Sequence, residues 1–421
     1  MNSFQTIILG IFGFFIIAGL LAVSMVRANK NADKVTLALW GSEPKIVVNA
    51  LLRTLYDNND KMSVTYSEFD ETKLDQAIIE ALAVNRGPDM VLLPLSLLMR
   101  YRDKITLIPY ETYSKRTFQD TFIQEGDLFL NAKGLYALPF SLDPLVMYFN
   151  RDFLDEAGIA TPPRYWDEFL TLAKNISVKD EIGNLSKSAV ALGEYRNIAS
   201  AREILSALFL QSGNMILGYN AEGSLKSTLS QGGSSAVLDF YTEFANPLKP
   251  IYSWNRALPS SYHQFLSSKL AVYFGFGSEY ADLQKGNPNL NFDLALLPRP
   301  RNATVGTTYG KLTGVALLRS AKKPSVALQV ALSLTSPSSA GFLHRQNGLP
   351  PVHRALLADK PSDPFGAVLY DSASRARGFL DPNPALSGDI FRTMIESVTN
   401  GKARSTEALG RANQELQSAL R

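Results

Sequence analysis

Three short apolar runs near the start of the chain constrain its architecture more than any other feature. Val35–Trp40, Met62–Tyr66 and Asp89–Leu93 are of strand length, and the first is near-continuously apolar, as a strand buried on both faces requires. Helical stretches lie between them. Gly41-Ser42-Glu43-Pro44 turns the chain, with proline at a helix start, into a periodic segment from Ile46 to Leu55. Leu74, Ile78, Ile79 and Leu82 then share one helix face, closed by Asn85-Arg86-Gly87-Pro88. Strand, helix, strand, helix, strand is two overlapping βαβ units, which implies a parallel sheet and an α/β fold. At 421 residues, 46% of them apolar, the chain favours two or three domains over one.

Charge and composition remove several function classes. A formal net charge of +3, with 19% charged residues, leaves no basic footprint of the kind nucleic acid demands. The absence of cysteine rules out disulfides, thiolate nucleophiles, zinc–thiolate sites and a lipid-anchored cysteine. His263, His344 and His353 are scattered without metal-ligand spacing, and a polar surface is expected for the last two. Gly275-Phe276-Gly277-Ser278-Glu279-Tyr280 begins like a dinucleotide fingerprint, but Tyr280 stands where the third glycine belongs. There is no Walker A loop, no nucleophile elbow, and no cofactor is expected.

The first 26 residues carry no charge, and Ile7 to Val26 is an apolar run of 20 residues. Such a run spans roughly 30 Å as a helix, about the hydrocarbon thickness of a bilayer. A secretory signal has a basic start and a shorter apolar core. Residues 1–30 are therefore expected to be an uncleaved membrane anchor, with cleavage after Ala22-Val23-Ser24 as the alternative. All nearby Lys and Arg follow the run, which by charge alone favours a cytoplasmic body.

Between Gly134 and Ile176 the sequence reads as an exposed loop, a buried strand (Leu145–Phe149), a short helix stopped at Gly158, a proline turn and an amphipathic helix. Trp166 lies on the buried face of that helix with Phe169, Leu170 and Ala173. The run Leu138-Pro139-Phe140, Asp143, Tyr148-Phe149-Asn150-Arg151-Asp152, Ala157-Gly158, Pro162-Pro163 and Trp166-Asp167-Glu168-Phe169 resembles the first lobe crossover of the sugar-type extracellular solute-binding proteins of ABC importers. Tyr165 replaces the threonine that caps the helix in that pattern, and a tyrosine is a poor cap. Further matches follow in order: Ala207–Asn214, Phe265–Tyr273, Leu296–Pro300, Thr313–Leu317 with Ala321–Pro324, Gly348–Pro351, and Gly401-Lys402 with the final helix.

The resemblance implies a two-lobed periplasmic-binding-protein fold of type II, similar to maltose-binding protein. One lobe is expected from 33–143 plus 298–344 and the other from 144–297 plus 345–421, with hinges near Ser141–Leu145, Leu296–Arg301 and His344–Pro350. It implies a monomer with its body outside the cytoplasm, which the apolar run in residues 1–30, as an N-terminal transmembrane helix, would make a single-pass cell-membrane protein. Its partners would be a sugar-like ligand, closed upon by the lobes, and ABC permease subunits. No nucleic acid and no chemistry on the ligand are implied. Two other readings stay open: a membrane-anchored sensor signalling to a receptor or kinase, and a glycoside hydrolase, which needs two cleft acids roughly 5–10 Å apart.

Ligands of open α/β sheets lie beyond the carboxyl ends of strands. An aromatic face with a nearby carboxylate suits a sugar, apolar on its C–H face and hydroxylated at its rim. That logic selects Trp40 and Glu43 after the first strand and Asp70, beside Glu71, after the second. It also selects Asp143 at the first crossover, Phe276, Glu279 and Tyr280 after a strand of the second lobe, and Tyr309, beside Gly310, at the second crossover. Trp254, in the polar, proline-bearing stretch Asn246–Ser261, is a further candidate, and Asp89 reads equally as a structural cap or a ligand contact.

Overall fold

The computed structural model describes residues 34–420 except 58 and 60. The expected membrane anchor at 1–30 lies outside the described residues. In the first lobe β1 (Val35–Gly41), α1 (Lys45–Tyr56), β2 (Met62–Glu68), α2 (Glu71–Ala83) and β3 (Met90–Pro94) follow the sequence reading closely. β1 pairs with β2 on one side and β3 on the other, both in the parallel sense expected of βαβ units.

The strand expected at Leu145–Phe149 is far longer. β4 (Leu138–Asn150) runs through both lobes. Two prolines hide its first half, because proline cannot donate to a ladder and is rare inside sheets. Here Pro144 faces Gly310 and Pro139 faces Gly314, beside a register shift that loosens the pairing.

The second lobe adds α3 (Glu168–Ile176), β5 (Leu185–Val190), α4 (Ala201–Gln211), β6 (Leu270–Phe276) and β7 (Phe292–Ala295). No side chain caps α3 from its N-cap, in keeping with Tyr165. Instead Glu168 accepts the backbone N–H of Arg164 at 2.8 Å and of Tyr165 at 3.2 Å. Glu222–Ser235, which reads as a loop, contains a strand, Leu225–Ser227, hairpinned to Leu217–Tyr219.

β8 (Thr308–Leu317) returns antiparallel between β3 and the first half of β4, while the second half of β4 pairs with β6 and β7. A single sheet path, β2-β1-β3-β8-β4-β6-β5, thus threads both lobes. The remaining helices are α5 (Pro324–Leu334), α6 (Pro337–Asn347), α7 (Pro364–Arg375), α8 (Pro384–Thr399) and α9 (Ser405–Ser418). Proline opens the first four, where its missing N–H costs nothing. Ser336, Asp363 and Asn383 cap three of them.

The apolar residues form two separate cores that divide within β4: Leu138, Phe140 and Leu142 belong to one, Leu145 to Tyr148 to the other. Val352 and Leu357, past the expected 344/345 boundary, pack into the first core. Helix α7 touches both, giving Leu369 to the second core and Tyr370 and Ala373 to the first. Among the described residues no single helix is long and apolar enough to cross a membrane.

Candidate functional site

The seam between the cores is floored by β4 and β8, and strand alternation decides which side chains face it. Phe140, Leu142 and Leu312 are buried, whereas the residues between them are polar. The register sets Ser141 opposite Thr313 and Asp143 opposite Lys311, and all four line one cavity of about 420 Å³. The first lobe supplies Glu43, Glu71 and Ser96 to its wall; the second supplies Arg202, Glu203 and Ser278. A larger adjoining space of about 820 Å³ shares Glu71, Arg202 and Glu203 and continues past Tyr195 and Arg392.

Side chains of the floor strands contact both walls, and Arg202 is paired within its own wall. The Ser141 hydroxyl donates to Glu43 at 2.5 Å, and the Ser278 N–H of the second lobe donates to Asp143 at 3.1 Å. The Lys311 ammonium lies 4.0 Å from Glu71 and 4.2 Å from the centre of the Phe276 ring. Arg202 reaches Glu203 at 2.9 Å and Asp381 at 3.0 Å.

Burial dominates the electrostatics. It raises the Glu43 pKa, against hydrogen bonds from Ser141 and Thr313, and the charge of Glu71 adds to the rise. Burial likewise pushes Asp143 up to about 6, opposed by the Ser278 hydrogen bonds and by Lys311. Burial pulls Arg202 down, but Glu203, Tyr309 and Asp381 outweigh it and hold the guanidinium above its ordinary value.

Of the ten residues selected from sequence, Glu43, Asp143 and Tyr309 line the inner cavity. Phe276 lies beneath it under Lys311. The others are placed elsewhere. Trp40 packs on Phe69 with ring centres 4.7 Å apart, and Tyr280 packs on Phe365 at 4.1 Å. Trp254 is 0% exposed in the second core, its indole N–H satisfied by Asn197 at 3.1 Å, which is what allows so large a ring to bury in a polar segment. Asp70 caps α2 through the Thr72 N–H, a bond that lowers its pKa after that of the Thr72 hydroxyl. Asp89 straps β1 to the segment before α5, accepting from the N–H groups of Ala38 and Lys322. Glu279 folds back onto the Tyr273 hydroxyl and the Phe276 N–H. His353, expected on a polar surface, is 2% exposed against Phe122. Among the described residues no three His, Asp or Glu gather as metal ligands.

Residues 51–364 match the family model described as bacterial extracellular solute-binding protein. The chain belongs to that family. A binding protein of Brucella abortus (strain 2308) is 21% identical over 352 residues, which cover 80% of this chain and 81% of that protein. Among solved structures, a cyclo/maltodextrin-binding protein complexed with maltotetraose superposes with a TM-score of 0.74 at 17% identity, covering 91% of this chain and 96% of the other. The maltose/maltodextrin-binding domain from Bdellovibrio bacteriovorus, bound to maltotriose, gives 0.68 at 15% identity, covering 91% and 99%. These likenesses establish the two-lobed, maltose-binding-protein-like fold, and the family is one of binding proteins with a body outside the cytoplasm.

Sequence reasoning missed several lining residues of this solute-binding protein. Ser141, Lys311 and Thr313 carried a usable signal, a polar residue at every second position of a crossover strand. Arg202 and Glu203 carried none: they open α4, whose packing on the second core turns its start toward the cleft, and neither a strand end nor a crossover marks them.

Proposed function

We propose that this protein captures a small polar solute, a sugar or oligosaccharide, between its lobes and delivers it to an ABC permease. One observation carries the reading: a polar cleft whose floor is two crossing strands and whose opposite walls belong to separate cores. Rotation about the floor strands would bring Glu43 and Glu71 toward Arg202, Glu203 and Ser278. A ligand touching both walls then stabilises the closed arrangement, which is the only means by which it can shift the population. Paired hydroxyls, carboxylates and cations supply the donors and acceptors that a hydroxylated ligand needs.

The malto- and cello-oligosaccharide series, screened by thermal shift, should yield a ligand, and small-angle scattering at saturation should show a smaller radius of gyration. An unchanged radius would mean a rigid pocket and would remove closure from the mechanism. The same reading places a monomeric body on the outer face of the cytoplasmic membrane, tethered by residues 1–30. Protease added to intact spheroplasts should degrade the body; full protection would refute the placement.

A further inference from the structure

We propose that the solute held in the inner cleft carries a protonated amine, an amino-bearing saccharide being the class that fits; the saccharide part rests on the function proposed above. Carboxylates outnumber cations around the inner cavity, and Glu43 and Asp143 are the ones drawn furthest from solvent. Buried carboxylates are stable only when a cation or several donors compensate them, and otherwise they take up a proton.

Three groupings line or back the inner cavity. Arg202 serves two acids at once, Glu203 at 2.9 Å and Asp381 at 3.0 Å, and Asp381 is itself only 3% exposed. Lys311 is likewise divided between Glu71, 4.0 Å away, and Asp143, opposite it in the strand register. The Glu43 carboxylate accepts from the hydroxyls of Ser141 and Thr313, and the charge acting on it is that of Glu71, which is also negative. Each grouping therefore holds one more carboxylate than cation. The raised pKa values of Glu43 and Asp143 report the same shortage.

The aromatic content points away from a neutral, stacked ligand. Among the described residues Tyr309 is the sole aromatic ring lining the inner cavity, and it is 8% exposed, so its face is not open for stacking. The outer chamber differs. Beyond the shared Glu71, Arg202 and Glu203, its charged residues are paired with close neighbours: Asp75 with Arg100, Arg196 with Glu396, and Arg392 with Asp389 and Glu396. An ammonium seated over Glu43 and Asp143 would supply three donors and the missing positive charge, while the balanced outer chamber takes the neutral, hydroxylated remainder.

The test uses a matched pair of ligands. A β-1,4-linked glucosamine trimer and cellotriose share a skeleton and differ in an amine for a hydroxyl on each ring. Isothermal titration of the detergent-solubilised full chain is run with both, with maltotriose, and with spermidine as an amine that is not a sugar. At pH 7 the glucosamine trimer should bind at least about tenfold more tightly than cellotriose, a difference of roughly 1.4 kcal/mol. The advantage should shrink at pH 5, where Asp143 is protonated, and in Glu43→Gln and Asp143→Asn proteins whose melting shows them folded. Equal or tighter binding of cellotriose or maltotriose overturns the amine and leaves solute capture standing. Binding of spermidine without any saccharide keeps the amine and refutes the sugar. Silence from all four overturns the amine at this cleft, while capture is judged by its own scattering test.

Discussion

The two faces of β4 and β8 are made from alternate residues of the same two segments, and they treat charge in opposite ways. On the cleft face Asp143 and Lys311 stand opposite one another, within reach of both lobes. On the packed face lies Glu125, 1% exposed, with neither carboxyl oxygen hydrogen-bonded. Burial drives its pKa well above the usual carboxylate range, and the opposing charge of Arg377 does not prevent this. Two glycines close over that carboxyl. A Cβ on Gly378 would lie 2.8 Å from Glu125, and one on Gly310 would lie 2.7 Å from Leu142 and 2.9 Å from Ala376. A charge on the cleft face can exchange its partner for a ligand. On the packed face it can only give up its charge.

The sharpest way to break this contrast is Gly310→Ala, which adds one methyl to the packed face. We expect a loss of about 3 kcal/mol in urea unfolding, since backbone-anchored overpacking has nowhere to relax. An unchanged midpoint would mean that the packed face is looser than described.

Asp143→Asn tests the other face through pH. The folded pKa of Asp143 is about 6 against an ordinary 3.8, so its contribution is fully present below pH 3.8 and is lost as pH rises through 6. By pH 8 the wild type should be destabilised by about 3 kcal/mol through this group, and asparagine should restore that amount. Melting curves of the two proteins from pH 4 to 8 that run parallel would show that the Asp143 charge is compensated without ligand.

The smallest expected stability effect belongs to Lys311→Met. The Lys311 side chain is 44% exposed and 4.0 Å from Glu71, so its removal should change stability by less than about 0.5 kcal/mol. Affinity for the cleft solute, measured by titration, should nevertheless shift by about tenfold or more. A large drop in melting temperature would make Lys311 a structural residue and blur the division between the faces.

How much of this was legible in sequence differs between fold and site. The parallel pairing of β1, β2 and β3 followed from three apolar runs and the helices between them, whereas the central place of β1 did not. The first half of β4 did not, because Pro139 and Pro144 argue against a strand until their glycine partners on β8 are known. At the site, Glu43, Asp143 and Tyr309 were readable as strand-end and crossover residues. Trp40 and Tyr280 were selected as strand-end residues and Trp254 as an aromatic in a polar stretch, and for all three the packing partner is decided by residues distant in sequence. Phe69, Asn197 and Phe365 are those partners.

The position of β8 also bears on how the chain comes off the ribosome. β3 and β4 are neighbours in sequence but not in the sheet, because β8 fills the place between them. The strands β4 to β7 of the second lobe are all present once Ala295 has been made, yet the first lobe's sheet stays split until Thr308–Leu317 arrives. Throughout that interval the chain presents two unpaired strand edges, each a template for another nascent chain. The same strand that floors the binding cleft is thus the one whose late synthesis sets the period of greatest exposure to aggregation.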